Sequence, residues 1–176
     1  MIKFKADSLN IYAKEGNSIE STGNTKYPFG EVNKSELDSN QIFHEGHRAE
    51  RYGKHFLKGH RLFGFKNENQ IISYIWASLL PNNIIYFWDC RTDNSYRGNG
   101  LYPLGLTLLS KQFSNNSQFY ICCSDDNEPS KKGILKANFK FKKRIRVIYV
   151  WRFTITIDTS FPFIRIYYKN PYLFPL

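Results

Sequence analysis

The sequence predicts a mixed α/β (α+β) fold, a mostly antiparallel central sheet flanked by helices. Three observations carry this. Between residues 61 and 90 lie three apolar runs joined by short polar connections, a pattern that favours antiparallel hairpins. From residue 101 onward the order becomes helix, strand, helix and two strands. At the junction, the apolar run Ile84-Ile85-Tyr86-Phe87-Trp88 leads through a two-glycine loop into a helical pattern at Leu101, Leu104, Leu108 and Leu109.

Taken in order, Lys3 to Tyr12 reads as a short strand and Glu15 to Gly30 as loop, with turn residues at Gly16-Asn17, Gly23-Asn24 and Pro28. Ser35 with Asp38 resembles a helix start. From there to Lys58 the apolar residues Leu37, Ile42, Phe43, Ala49, Tyr52, Phe56 and Leu57 recur at three- and four-residue intervals. That predicts one amphipathic helix or two short ones, ended by Gly59. Arg61 to Lys66, Ile71 to Leu80 and Ile84 to Cys90 read as strands, the last pair turned by Pro81-Asn82-Asn83. A helix runs to about Phe113, and Phe119 to Cys123 is a buried strand. Asp125-Asp126-Asn127-Glu128-Pro129 starts a helix to about Ala137, with a capping side chain and a first-turn proline. Phe139 to Trp151 and Phe153 to Asp158 are the final strands, followed by an aromatic, proline-containing tail from Pro162. That tail needs a surface to pack on: its own sheet, a second subunit or a membrane.

The 176 residues fit one domain, 1–176, with an N-terminal region 1–58, a core 59–158 and a tail 159–176. Hydrophobic and aromatic fractions of 41% and 17% support a packed core over disorder. No apolar run reaches the roughly 18 to 20 residues that span a bilayer. Met1 to Asp7 has no apolar stretch of the kind a signal peptide carries. The cysteines, Cys90, Cys122 and Cys123, make no Cys-x-x-Cys pair, so neither a disulfide framework nor a zinc site is expected and a cytoplasmic location is. Cys122 and Cys123 face opposite ways on a strand without a partner histidine, which favours packing over nucleophilic chemistry. His44 and His47 fall three apart on a helix, but no third ligand accompanies them and no metal is expected.

The net charge of +10 is uneven. Residues 1–60 hold nine Lys/Arg and eight Asp/Glu, a net of +1, leaving +9 for the rest. Lys131 to Arg146 carries eight basic residues and no acid. Such a stretch suits nucleic acid, an anionic membrane surface or a phosphorylated ligand, or is a solvated face.

The loop Thr92 to Pro103 carries the sharpest signal. A strand stops, two glycines turn the chain and a helix begins, which brings free backbone N–H groups and the positive end of a helix dipole to one point. Such a point binds phosphate, and glycines let it approach closely. No Gly-Lys-Ser/Thr follows, so this is not a P-loop, and the third glycine and later acid of a dinucleotide fingerprint are missing.

Arg97-Gly98-Asn99-Gly100-Leu101-Tyr102 resembles the Arg/Gln-x-x-Gly-x-Gly/Ala turn of the GNAT superfamily of N-acetyltransferases, with Tyr102 where that pattern prefers Gly or Ala. Asn127-x-x-Ser130 followed by Ile134 and Asn138-Phe139 is similar to the family's later helix, with Ile134 where many members have a proton-donating Tyr and Asn138 where Gly is usual. Lys58-Gly59-His60-Arg61-Leu62 and Ile72-Ser73-Tyr74-Ile75-Trp76 resemble a helix end and central strand of bacterial members. The resemblance covers most of Gly59 to Trp151, and more weakly the helix before it.

The resemblance implies a sheet splayed between the fourth and fifth strands, with acetyl-CoA in the cleft. Its pantetheine would pair with the first of these strands near Cys90 and Thr92. Its pyrophosphate would meet Arg97, Gly98, Asn99, Gly100, Leu101 and Tyr102. Asn127 and Ser130 would flank it, and Lys131 and Lys132 are candidates to hold the 3′-phosphate. It implies an N-acyltransferase acting on a small primary amine, of which an amino sugar or cell-envelope precursor is one class. Asp89 is the candidate base, since strand alternation puts it on the same face as Phe87, the position more often acidic in the family. Its bland alternative is a structural carboxylate paired with Arg91 or Arg61, and proton loss to water through a chain of polar groups is a third reading. No nucleic-acid partner is expected, and a homodimer would form through the C-terminal strands or tail. The rival reading is a non-catalytic module that binds nucleic acid or an anionic surface through Lys131 to Arg146.

Overall fold

The computed structural model describes residues 4–16, 26–43, 48–113, 115–150, 153–158 and 164–168. Among these, nine strands form one sheet. They are β1 (Phe4–Glu15), β2 (Phe29–Val32), β3 (Arg61–Asn67), β4 (Gln70–Leu80), β5 (Ile84–Thr92), β6 (Gln118–Ser124), β7 (Lys140–Val150), β8 (Phe153–Asp158) and β9 (Ile164–Tyr168). The order across the sheet is β2-β3-β4-β5-β6-β1-β7-β8-β9. Every neighbouring pair is antiparallel except β5 and β6.

The helices are α1 (Lys34–Ser39), α2 (Arg48–Leu57), α3 (Leu101–Gln112) and α4 (Glu128–Lys136). Two cores result. Leu106 and Leu109 of α3 and Ile134 of α4 bury one face of the sheet, with Phe63, Ile75, Phe87, Phe119 and Ile121. Leu37 of α1 and Tyr52 of α2 cover the other, with Leu62, Tyr74 and Trp76.

The parallel pair positions the site. β5 meets β6 only from Ile84↔Gln118 to Phe87↔Ile121. Beyond that, β5 continues to Thr92 without pairing to β6, while β6 stays paired to β1 on its other edge along its whole length, from Leu9↔Ser124 to Glu15↔Gln118. The sheet therefore opens between them, with α3 starting on one side of the gap and α4 on the other.

Several details depart from the sequence reading. β2 begins in the stretch read as loop and pairs with β3; it adds one to the strand count, so the splay lies between the same two strands as expected, now the fifth and sixth of the chain. β1 is longer than expected and sits inside the sheet, between β6 and β7. Asn33, not Ser35, caps α1: its side chain accepts from Glu36 N, and the Glu36 carboxylate accepts from Asn33 N at 2.9 Å. β9 pairs with β8, so part of the aromatic tail packs on its own sheet. His44, His47 and residues 169–176 lie outside the described residues.

Candidate active site at the splay

A cavity of about 450 Å3 occupies the gap. Its walls are the end of β5, the first turn of α3 and the first turns of α4. Nine of the residues expected at a cofactor site line it: Cys90, Thr92, Arg97, Gly98, Gly100, Leu101, Tyr102, Asn127 and Ser130. Asn99 does not; its side-chain amide donates to Tyr96 O at 3.1 Å. Lys131 also points elsewhere, and its ammonium meets Glu128 at 2.8 Å and Asp125 at 3.3 Å.

The loop before α3 is built by local hydrogen bonds. The Asp93 carboxylate accepts from Ser95 N at 2.9 Å and caps the single 3-10 turn Asn94–Tyr96. Asn67 donates to the Tyr96 hydroxyl at 2.8 Å, and the Arg97 guanidinium donates to Thr92 O at 3.3 Å. Gly98 and Gly100 then have φ of +84° and +71°. A Cβ built on either would meet no atom within 4 Å, so the space before the helix is open. Gly100 is the N-cap and supplies no side-chain cap. The N–H groups of Leu101 and Tyr102 thus have no partner from within the helix, and Pro103 has no N–H to satisfy.

Across the gap, Asn127 caps α4 by accepting from Ser130 N at 3.1 Å. Two helix N-termini therefore share one cavity. The charged residues lining it are Arg91, Arg97, Lys132 and Lys136, all basic. Dipoles and cations act in the same sense, and an anionic ligand placed here meets only positive potential from these groups.

Lys132, expected as a phosphate-binding candidate, lines the cavity, whereas Pro129, Gly133 and Lys136 were not in the expected set. Their three- and four-residue spacing along α4 was the available signal. Tyr102 wedges between the helices, with its hydroxyl 3.3 Å from Ser130 Oγ. Burial pushes both the Tyr102 hydroxyl and the Cys90 thiol well above their usual ranges, so both are neutral near pH 7. Burial also lifts Cys123 to about 11, which leaves no activated thiol there. Ile134 is fully buried in the core and offers no proton donor.

Asp89 does not share a face with Phe87. The β4–β5 register passes from Trp76↔Trp88 to Tyr74↔Arg91, so Asp89 and Cys90 together oppose Ile75. Asp89 has φ of +42° at this bulge, and the extra residue resets the alternation. Phe87 and Cys90 pack toward α3 and α4. Asp89 instead accepts a hydrogen bond from the Tyr52 hydroxyl of α2 at 2.5 Å. Arg61 is not its partner, being held by both carboxylate oxygens of Glu31 at 2.8 and 2.7 Å.

The basic stretch is divided by the fold. Lys143 pairs with Asp158 at 2.9 Å and Arg144 with Asp125 at 3.0 Å. Lys132 and Lys136 face the splay, while Lys140 and Lys142 line a hollow at the other end of β1 and β6. Among the described residues, no group of His, Cys, Asp and Glu could hold a metal ion, and no helix is long and apolar enough to cross a membrane.

No family model matches the sequence, and a search of curated proteins finds no match. Solved structures do match. A GNAT-family acetyltransferase from Colwellia psychrerythraea superposes with a TM-score of 0.58 at 16% identity, over 84% of this chain and 56% of its own. A GCN5-related N-acetyltransferase from Sphaerobacter thermophilus gives 0.61 at 7% identity, over 84% of this chain and 53% of its own. The chain thus spans about half the length of these two. AAC(6')-Iy, solved with the bisubstrate analog CoA-S-monomethyl-acetylneamine, gives 0.53 at 15% identity, over 66% of this chain and 92% of its own. At such identities the likeness is one of architecture, and by architecture this chain has the GNAT acetyltransferase fold.

Proposed function

We propose that the chain is an acyl-coenzyme A-dependent N-acyltransferase, moving acetyl from acetyl-CoA to the primary amine of a small acceptor. The observation that carries this is the cavity at the splay, where two helix N-termini and four basic side chains converge and no acid intrudes. A pyrophosphate fits the open space before Gly98 and Gly100, against the N–H groups of Leu101 and Tyr102. Lys132 and Lys136 supply charge for a further phosphate. The edge of β5 beyond Phe87 is not paired to β6, so amide groups of an extended ligand can add there as a strand does.

When bound, the coenzyme supplies an activated thioester. Asp89 would take a proton from the acceptor's ammonium, leaving a free amine to attack the thioester carbonyl; as the C–N bond forms and the C–S bond breaks, the electron pair would depart on sulfur and the acylated nitrogen would shed its second proton to solvent. With Ile134 in the core, sulfur takes its proton from solvent. The acceptor is a small amine, and the amino-sugar class is kept because a protein of this fold, AAC(6')-Iy, was solved with an acetylneamine conjugate.

The rival, a nucleic-acid module, loses support from the division of the basic stretch, since Lys131, Lys143 and Arg144 are ion-paired. The test is thermal unfolding with acetyl-CoA and with adenosine 3′,5′-bisphosphate. A ligand at about 100 times its dissociation constant stabilises by about 2.7 kcal/mol, several degrees here. No shift at millimolar acetyl-CoA sinks the proposal, and steeply salt-dependent binding of DNA or RNA would favour the rival.

A further inference from the structure

We propose that Tyr52 is a positioning residue for acyl transfer: it holds the Asp89 carboxylate at the mouth of the splay, and the acceptor amine docks on Asp89 from the α2 side. The inference rests on the functional reading above and adds to it a route of entry and a residue that sets the geometry.

Asp89 occupies an unusual place. It lies two residues past the last β5–β6 pair, where the strands part. Its backbone is in the left-handed region at φ +42°, a conformation a non-glycine residue keeps only where its surroundings hold it there. The residue is exposed, yet its carboxylate is anchored from within the protein. The Tyr52 hydroxyl donates to Oδ2 at 2.5 Å, and behind it the Tyr74 hydroxyl lies 3.1 Å from Tyr52 Oη. Both tyrosines are 1% exposed. The Tyr52 ring is itself fixed, edge-on to Phe43 at 6.0 Å and tilted against Trp76 at 5.6 Å.

The arrangement has a direction. One carboxylate oxygen is fixed by a buried donor, and the other has no hydrogen-bond partner among the described residues. The coenzyme cavity adjoins the next residue, Cys90, which faces α3 and α4. Asp89 is turned to α2. Coenzyme and acceptor would therefore approach β5 from opposite faces and meet at the splay. A protonated primary amine suits this carboxylate, because it offers the positive charge and the proton that the free oxygen accepts.

A structural tie between α2 and β5 would show the same hydrogen bond. The two roles separate in a double-mutant cycle on kcat/KM, using Tyr52→Phe, Asp89→Asn and the pair. Acceptors are glucosamine, phenethylamine and spermidine, with thiol release as the readout and acetyl-CoA affinity followed by calorimetry. Phe keeps the ring and its packing. If Tyr52 acts through Asp89, Tyr52→Phe lowers kcat/KM about tenfold alone and less than twofold in the Asp89→Asn background, with acetyl-CoA affinity unchanged in all forms. Equal losses in both backgrounds, or none in either, overturn the role of Tyr52. Bound acetyl-CoA without thiol release to any of the three amines overturns the acceptor site. Failure of the unmodified protein to bind acetyl-CoA is a different result, since it removes the functional reading itself.

Discussion

The ring of Tyr102 lies so close to Gly133 that a methyl group added at position 133 would come within 2.5 and 2.8 Å of two ring carbons. A bulky residue at the mouth of α3 is thus matched by a glycine on α4. This pairing accommodates the tyrosine at the start of α3. Gly133→Ala should drive the ring toward the cavity it lines. We expect a stability loss of about 1–3 kcal/mol in urea unfolding and at least a tenfold weaker grip on acetyl-CoA by calorimetry. Adding Tyr102→Ala should return part of the stability; if the double variant is no more stable than Gly133→Ala, the clash is not the cause.

Gly100 tests the cradle itself. Its φ of +71° and its open surroundings leave room for a side chain, at a cost of about 1 kcal/mol for the backbone. Gly100→Asp would put a carboxylate where an anion is proposed to sit. The variant should stay folded by circular dichroism and bind acetyl-CoA at least a hundredfold more weakly. Unchanged affinity in a folded variant would move the phosphate site away from this turn.

The two groups of lysines should behave differently. Lys132 and Lys136 face the splay, while Lys140 and Lys142 lie at the far end of the sheet. Replacing the first pair with alanine should weaken acetyl-CoA binding several-fold and flatten its dependence on salt, because two cations leave a cavity that counterions otherwise screen. Replacing the second pair should change neither. An equal effect from both pairs would indicate a diffuse field of positive charge in place of a site.

Much of this was legible because the signals are local. The hairpins of β3, β4 and β5 follow from apolar runs and short turns, and α4 from Asn127 and Pro129 at its start. The two-glycine turn could be read because positive φ favours glycine. What could not be read depends on partners distant in sequence. β2 is four residues with one buried side chain, and it is a strand because β3 offers an edge. β1 is central only because β6 and β7, over a hundred residues later, flank it. The orientation of Asp89 failed for a sharper reason. Alternation assumes a regular strand, and one residue at φ +42° reverses it. Nothing in Trp88-Asp89-Cys90 announces that bulge, and the Tyr52 that answers it lies on a helix 37 positions earlier.

Acid should loosen the α1 end of the molecule. The Glu36 carboxylate is held below its usual range chiefly by Lys66, and also by the Asn33 N–H. It thereby closes the capping box of α1 and ties that helix to β3. The folded state therefore binds this proton more weakly than the unfolded chain does. Its contribution is fully present above the ordinary glutamate value of 4.5 and is lost as pH falls through the lowered folded value. Because the pair is partly exposed, the amount is about 0.5–1 kcal/mol. Glu36→Gln should cost that much at pH 7 and nothing at low pH, so the two stability curves converge as the solution is acidified. Parallel curves across the whole range would mean that the carboxylate's charge contributes nothing and that the cap alone holds α1 in place.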